Sequence, residues 1–504
     1  MPDTVPLLAD MVRQALARDC DRPAIEFEGR WTSWGELAYM ASSVEQQIEA
    51  SGVGPNAPVA FVPRNRPSSI ATLLGLLAAK RTVRMIYPFQ SAAVIAQQIA
   101  KLEPAVAILD DVDLAAPIGT ILATEGIAGI VLDHDAIGPI EGAARALGIA
   151  AQRTGPEAPL LEILTSGTTG PPKQFPIRHQ MIAESLIGAQ ALTAEAQKSA
   201  ADLPPYLLYF PLGNISGIYS TVPTLVRGQR ACLLDRFSIE AWHQYVVRHR
   251  PAHSGIPPAS MQALLDADIP VADLASIKAM GVGAAPLSPD LQRAFEDRYG
   301  IPVLLSYGAT EFGGPVCTWS LPLHAKWGRR KLGSVGLPLP GAQIRIVDPE
   351  SGAVLGPNSG GRVEVISPRI GSGWIQTSDL GRIDEDGFLF LQGRSDSAIM
   401  RGGFKILPDV IENALLRHPA ITEAAVVDLP DPRLGQAPAA MVVPSPGTSP
   451  PTVESMEAHL RNLLPATHVP VAWHIADCLP RNPSMKIDRP VIRQIFKDLV
   501  AQRN

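Results

Sequence analysis

At 504 residues the chain is too long for one ordinary core, so two or more domains are expected. A hydrophobic fraction of 46% with 18% charged residues fits a globular protein and excludes a disordered one. The net charge of −6 gives no footing for nucleic acid or an anionic membrane, and Cys20, Cys232, Cys317 and Cys478 stand far apart, as unpaired thiols in a reducing compartment would.

The chain starts Met-Pro-Asp-Thr, with no basic segment before an apolar core, and its end carries no lipidation or peroxisomal signal. The most apolar short stretch, 70–79, is too short to cross a bilayer. The expected location is therefore the cytoplasm. Residues 7–17 read as an amphipathic helix, 24–27 and 59–62 as strands, and 68–80 as a helix rich in Leu and Ala. Residues 105–109 and 129–132 are short apolar runs followed by turn residues, the pattern of buried strands. This alternation predicts α/β layers.

After the apolar stretch 160–164 comes Thr165-Ser166-Gly167-Thr168-Thr169-Gly170-Pro171-Pro172-Lys173. Glycines let backbone N–H groups approach an anion, hydroxyls donate further bonds, and lysine adds a mobile positive charge, so the run suits a loop that closes around phosphate. Pro171 and the missing Gly-Lys-Ser/Thr exclude a Walker A loop. Further on, His243, His249 and His253 invite a metal reading, but Pro251 breaks any helical pairing between the last two; they read as surface or cleft histidines.

Gly283-Ala284-Ala285-Pro286-Leu287-Ser288 follows the strand-like 279–282. Its small residues leave a flat slot for a planar base, and Ser288 also suits the N-cap of a following helix. Ser306-Tyr307-Gly308-Ala309-Thr310-Glu311 follows the strand-like 303–305. From 333 the texture changes: 336–347, 361–367 and 387–391 read as strands of a β-rich subdomain. Beyond Gly393-Arg394-Ser395-Asp396, residues 397–504 read as a small α+β domain: the segment 399–406, then a helix over 408–417, strands at 424–428 and 439–443, and a helix near 453–464.

Taken together, these segments resemble the adenylate-forming superfamily of acyl- and aryl-CoA ligases, firefly-type luciferases and peptide-synthetase adenylation domains, over almost the whole chain. The resemblance implies a phosphate loop at Thr165 to Gly170 with Lys173, and an adenine slot at Gly283, Ala284, Ala285 and Pro286. It implies Tyr307 stacked on adenine beside Ser306, Gly308 and Ala309, with Thr310 bonding a phosphate. Glu311, helped by Thr165, would hold Mg²⁺. Trp374 and Thr377-Ser378-Asp379-Leu380-Gly381 resemble the ribose clamp, in which Asp379 accepts from both ribose hydroxyls. Arg394 would reach ribose or phosphate, and Asp396 would be the pivot of a hinge. Gly402, Gly403 and Phe404 match the loop facing the thiol cofactor. Pro480-Arg481-Asn482-Pro483-Ser484-Met485-Lys486 resembles the loop that carries the catalytic lysine, here Lys486.

Tyr209-Phe210-Pro211-Leu212-Gly213-Asn214 resembles the lining of the acid pocket, to which Gly283 and Gly308 would also contribute. Asn214 stands where most CoA ligases carry histidine or an aromatic residue; a polar group on the substrate and a substitution without consequence both account for it. No aspartate lies between Tyr206 and Tyr219, which argues against an amino-acid substrate. Gln174, Ser378 and Met485 each replace a usual glycine.

The implied architecture is α/β. A large N-terminal domain, 1–395, has layered α/β subdomains and a β-rich subdomain and binds ATP and a carboxylate. A small mobile α+β domain, 396–504, supplies Lys486. The implied activity is ATP-dependent carboxylic acid:CoA ligation through an acyl-adenylate, with ATP, Mg²⁺ and coenzyme A required. Transfer to a carrier-protein thiol or an amine is the alternative within the class, and a weakly active nucleotide-binding homologue is the alternative outside it. The partners are then small molecules, with no nucleic acid and no membrane span; a homodimer is left open.

Overall fold

The computed structural model describes residues 5–133, 136–165, 173–188, 194–258, 260–283, 285–401, 404–482 and 486–501. They form two compact units. The first holds the residues up to 255 with Ile269–Lys278 and Ala309–Gly314; the second holds Ile256–Asp268, Ala279–Gly308 and the chain from 315 onward.

The first unit is built on a seven-stranded sheet in the order Ile137–Pro139, Ala128–Leu132, Val106–Asp110, Val59–Val62, Val83–Met85, Leu160–Thr165, Lys173–Arg178. The five inner strands run parallel and both outer strands are antiparallel. Alternate residues enter different cores: Val59, Phe61, Val106 and Ile108 pack on one face, and Ala60, Val62, Ala107 and Leu109 on the other. A sheet covered on both faces explains why these strands read as unbroken apolar runs.

Helix Trp34–Ala50 begins at a capping box, in which Ser33 Oγ accepts from the Glu36 N–H and Glu36 Oε2 accepts from the Ser33 N–H. It lies so close to helix Pro67–Ala78 that a Cβ on Gly75 would sit 2.8 Å from the Ala41 carbonyl oxygen. A smaller sheet pairs Tyr206–Leu208, Ala231–Leu233, Pro23–Phe27 and Arg30–Ser33. There the buried Glu26 accepts from Arg248 and pairs with His249 at 2.9 Å. His243 meets Asp273 at 2.8 Å, and His253 is exposed. His249 is thus largely buried on a carboxylate, because the helix Ile239–His249 ends against the strand that carries Glu26.

In the second unit Ala279–Val282 pairs in parallel with Val303–Leu305. An antiparallel meander follows: Gln343–Val347, Gly361–Ile366, Ile375–Ile383, Leu389–Arg394. The strand Ile375–Ile383 has no apolar alternation through Thr377-Ser378-Asp379 and was not readable as a strand; its two neighbours in the ladder hold it extended. The C-terminal layer orders Phe404–Ile406, Ile399–Arg401, Gly435–Pro444 and Ile421–Asp431, and Ala472–Ile475 pairs with Gly435–Pro444 in parallel. Helices Pro408–Leu415 and Val453–Leu463 cover one face, and Arg489–Ala501 covers the other. Ile399–Arg401 and Phe404–Ile406 pair as two short antiparallel strands. Ser288 stands at the N-cap position of helix Pro289–Tyr299 without a side-chain capping bond; Pro289 at the first helical position starts the helix instead.

Candidate active site

In the first unit Thr165 ends one strand and Lys173 begins its antiparallel neighbour, and the two residues face each other in register. The ladder therefore brings the two ends of the segment 166–172 together. Ser166, Gly167, Thr168, Thr169 and Gly170 lie outside the described residues, as do Ala284, Gly402, Gly403 and Met485. Gln174, the first residue past Lys173, has both polar atoms of its amide buried with no hydrogen-bond partner among the described residues. Thr310 and Glu311 occupy a short 3-10 turn, Thr310–Phe312, straight after the strand Val303–Ala309, and Glu311 is exposed.

The segment after Tyr209 is held by a residue that the sequence reading missed. Asn65, 4% exposed, donates from Nδ2 to the carbonyls of Phe210 (3.2 Å) and Leu234 (3.0 Å) and accepts from the Leu212 N–H (3.0 Å). Its only sequence signal is a neutral amide between two arginines, directly after a buried strand. Asn214 has a structural task. It is the N-cap of helix Ile215–Arg227, and its Oδ1 accepts from the Gly217 N–H at 2.8 Å. Gly217 is fixed by the same turn, since a Cβ there would lie 2.1 Å from the Pro211 carbonyl oxygen.

In the second unit a Cβ on Gly283 would lie 2.4 Å from Ser306 Oγ, so the serine hydroxyl would have to turn away. Ala285, Pro286 and Gly308 are exposed. Tyr307 is buried along its ring, and its hydroxyl donates to Asp379 Oδ2 at 2.5 Å. Burial, and then the Asp379 charge, push its phenol far above the ordinary value, so it stays a donor. Thr377 orients Asp379 from below: its Oγ1 accepts from the Asp379 N–H at 3.0 Å and donates to the Val363 carbonyl at 2.7 Å.

Arg394, the register partner of Asp379, completes the cluster. Its guanidinium lies 3.4 Å from Asp379 Oδ1, donates to both oxygens of Asp396 (3.1 and 2.9 Å), and donates to Ser378 Oγ. Burial pulls the Arg394 pKa down, but the bond to Asp396 and the charges of Asp379 and Asp396 outweigh it, so the net shift is upward. Next to it Gly393 adopts φ +123°, and a Cβ there would meet Asp409 Oδ2 at 2.7 Å. Trp374 lies under the Arg345 guanidinium, 4.1 Å from its ring centre.

Lys486 sits in a closed turn. Its N–H donates to Asn482 Oδ1 at 3.0 Å and its carbonyl accepts from the Asn482 N–H at 2.7 Å, while Arg481 and Ile487 form a bridge beside them. The lysine itself is exposed. Phe404 opens the strand Phe404–Ile406. The structure thus joins Tyr307, Asp379, Arg394 and Asp396 in one bonded cluster. A carboxylate fixed by a phenol and a guanidinium, with acceptor capacity remaining, can take a pair of vicinal hydroxyls.

The model of the AMP-binding enzyme family matches residues 12–375, and that of the AMP-binding enzyme C-terminal domain matches 410–486. The chain is 28% identical to a sulfoacetate–CoA ligase of Cupriavidus necator, over 97% of each chain. It is 30% identical to a 2-succinylbenzoate–CoA ligase of Bacillus cereus, over 67% of this chain and 70% of that one. Among solved structures, ATP-bound MatB from Rhodopseudomonas palustris shares the fold, with a TM-score of 0.78 at 23% identity over 97% of this chain and 99% of that one. With a large N-terminal and a small C-terminal domain, the chain belongs to the AMP-binding, adenylate-forming enzymes.

Proposed function

We propose that this adenylate-forming enzyme is an ATP-dependent carboxylic acid:CoA ligase. The reading is carried by the bonded Tyr307–Asp379–Arg394 cluster in a chain covered end to end by relatives named as CoA ligases. In the first step a carboxylate oxygen of the acid attacks the α-phosphorus of ATP, the bond to the bridging oxygen breaks, and pyrophosphate leaves. In the second, the CoA sulfur attacks the acyl carbon of the adenylate, its proton departs to solvent, and AMP leaves.

Both first-step reactants are anionic, so positive charge and hydrogen-bond donors must offset their repulsion. Lys486 supplies the mobile charge. The phosphate-loop residues Thr165 to Gly170, with Lys173 and Thr310, donate to the triphosphate. Asp379 holds the ribose, Tyr307 and the Gly283 to Pro286 slot hold adenine, and Arg394 adds charge at ribose or phosphate. Phe210, Asn214, Gly283 and Gly308 line the acid pocket, where the Asn214 carbonyl is committed to capping its helix. Hard cations favour oxygen donors, and the exposed Glu311 carboxylate with the Thr165 hydroxyl is such a set for Mg²⁺. When bound there, Mg²⁺ neutralises charge between phosphate oxygens.

Lys486 serves only the first step, so its withdrawal by rotation at Asp396, between domains 1–395 and 396–504, fits the chemistry. Gly402, Gly403 and Phe404 would then face CoA. Among the described residues no helix is long and apolar enough to cross a membrane. ATP–pyrophosphate exchange over a panel of aryl, alicyclic, short-chain and long-chain acids, followed by CoA addition and mass detection of the thioester, tests the reading. Acid-dependent exchange with an acyl-CoA product supports it. Exchange without thioester moves the acceptor to a carrier protein or an amine, and absence of exchange overturns adenylation.

A further inference from the structure

Ser378 stands where the resembled clamp motif has glycine, and its side chain is engaged. Its hydroxyl oxygen accepts from the Arg394 guanidinium, while its carbonyl accepts from the Ser395 N–H at 2.7 Å and the Ser395 hydroxyl at 2.9 Å. We propose that the Ser378 hydroxyl is a positioning group that holds Arg394 beside Asp379 for nucleotide binding, whatever the state of the hinge; this rests on the adenylation reading above.

Among the described residues the Asp396, Asp379 and Ser378 side chains each offer the guanidinium an acceptor. Asp396 is two residues down the chain and lies at the proposed pivot, so its two bonds to Arg394 depend on the local backbone angles. Rotation there carries its carboxylate away. Asp379 is 3.4 Å from Arg394 and is needed for ribose hydroxyls. Ser378 lies in the ladder strand Ile375–Ile383, one residue before Asp379, on the side that does not turn. Its hydroxyl is also uncharged. It orients the guanidinium without neutralising it, so positive charge remains for a nucleotide phosphate. With glycine in its place, Arg394 would lose this neutral side-chain partner and follow Asp396 when the hinge opens.

The test measures KM for ATP and kcat in acid-dependent ATP–pyrophosphate exchange for wild type, Ser378→Ala and Ser378→Thr, with thermal midpoints to confirm folding. The expected result is an ATP KM raised about five- to tenfold in Ser378→Ala, the size of one typical hydrogen bond, with kcat within about twofold. Ser378→Thr, which keeps the hydroxyl, returns KM to near the wild-type value. An unchanged KM in the alanine variant, a loss confined to kcat, or a threonine variant no better than alanine overturns the proposal while the adenylation reading stands. Wild-type protein that shows no exchange with any acid overturns that reading and this inference with it.

Discussion

Asn482 clasps the main chain on both sides of Lys486, through its own N–H and its side-chain oxygen. A long, exposed lysine on an unpinned loop would spend most of its time away from any reacting phosphate. Lys486→Ala is expected to slow acid-dependent pyrophosphate exchange by ~10²–10³, the cost of one stabilising charge, yet to spare thioester formation from a supplied acyl-adenylate. Asn482→Ala leaves the charge and loosens its placement, so exchange should fall about tenfold, again with the second step spared. Equal loss of both steps in either variant would contradict the assigned role. Lys486, Asp379 and Tyr307 were each nominated by spaced motifs, and the structure bonds Tyr307 to Asp379. Asn65 and the capping task of Asn214 were not legible in the sequence: Asn65 acts on carbonyls more than 140 positions away, and a cap shows itself only once the helix start is known.

Asp409, in the first turn of the helix Pro408–Leu415, lies so near the strand Leu389–Arg394 that a Cβ on Gly393 would meet its Oδ2 at 2.7 Å. Burial, and then the neighbouring Glu412, push the Asp409 carboxyl up to about 6. Its folded-state value lies above the ordinary ~3.9, so the protonated form is the favoured one. The stabilisation is fully present below that ordinary value and is lost as pH rises through about 6. Asp409→Asn keeps the shape without the charge. Its apparent melting temperature should exceed that of wild type at pH 8, by an amount worth ~3 kcal/mol at most, and the gap should close towards pH 4. A constant gap across that range in thermal scans would contradict it. The helix Pro408–Leu415 was legible from its apolar spacing and proline start. The strand Ile375–Ile383 was not, because pairing on both sides, rather than side-chain pattern, keeps it extended.

At the scale of the molecule the α/β layers, a β-rich segment after 333 and the C-terminal α+β layer were legible, since buried parallel strands and glycine-punctuated hairpins leave opposite signatures; the meander's third strand was not. Nor was strand order, because it is set by packing between distant segments. The proposed alternation of domains makes its own prediction. Proline at Asp396 fixes one backbone angle near −65°. Asp396→Pro should reduce overall acyl-CoA turnover at least tenfold more than pyrophosphate exchange, whereas Asp396→Ala, which removes only the carboxylate, should not separate the two rates. The cysteines offer a direct way to watch this motion. Cys20 and Cys478 are exposed, one in each compact unit, while burial pushes the thiols of Cys232 and Cys317 up to about 12 and leaves them unreactive near neutral pH. The native chain therefore carries a dye attachment point on each side of the proposed pivot, and Förster transfer between them would test whether residues 396–504 swing as nucleotide binds, without a single engineered residue.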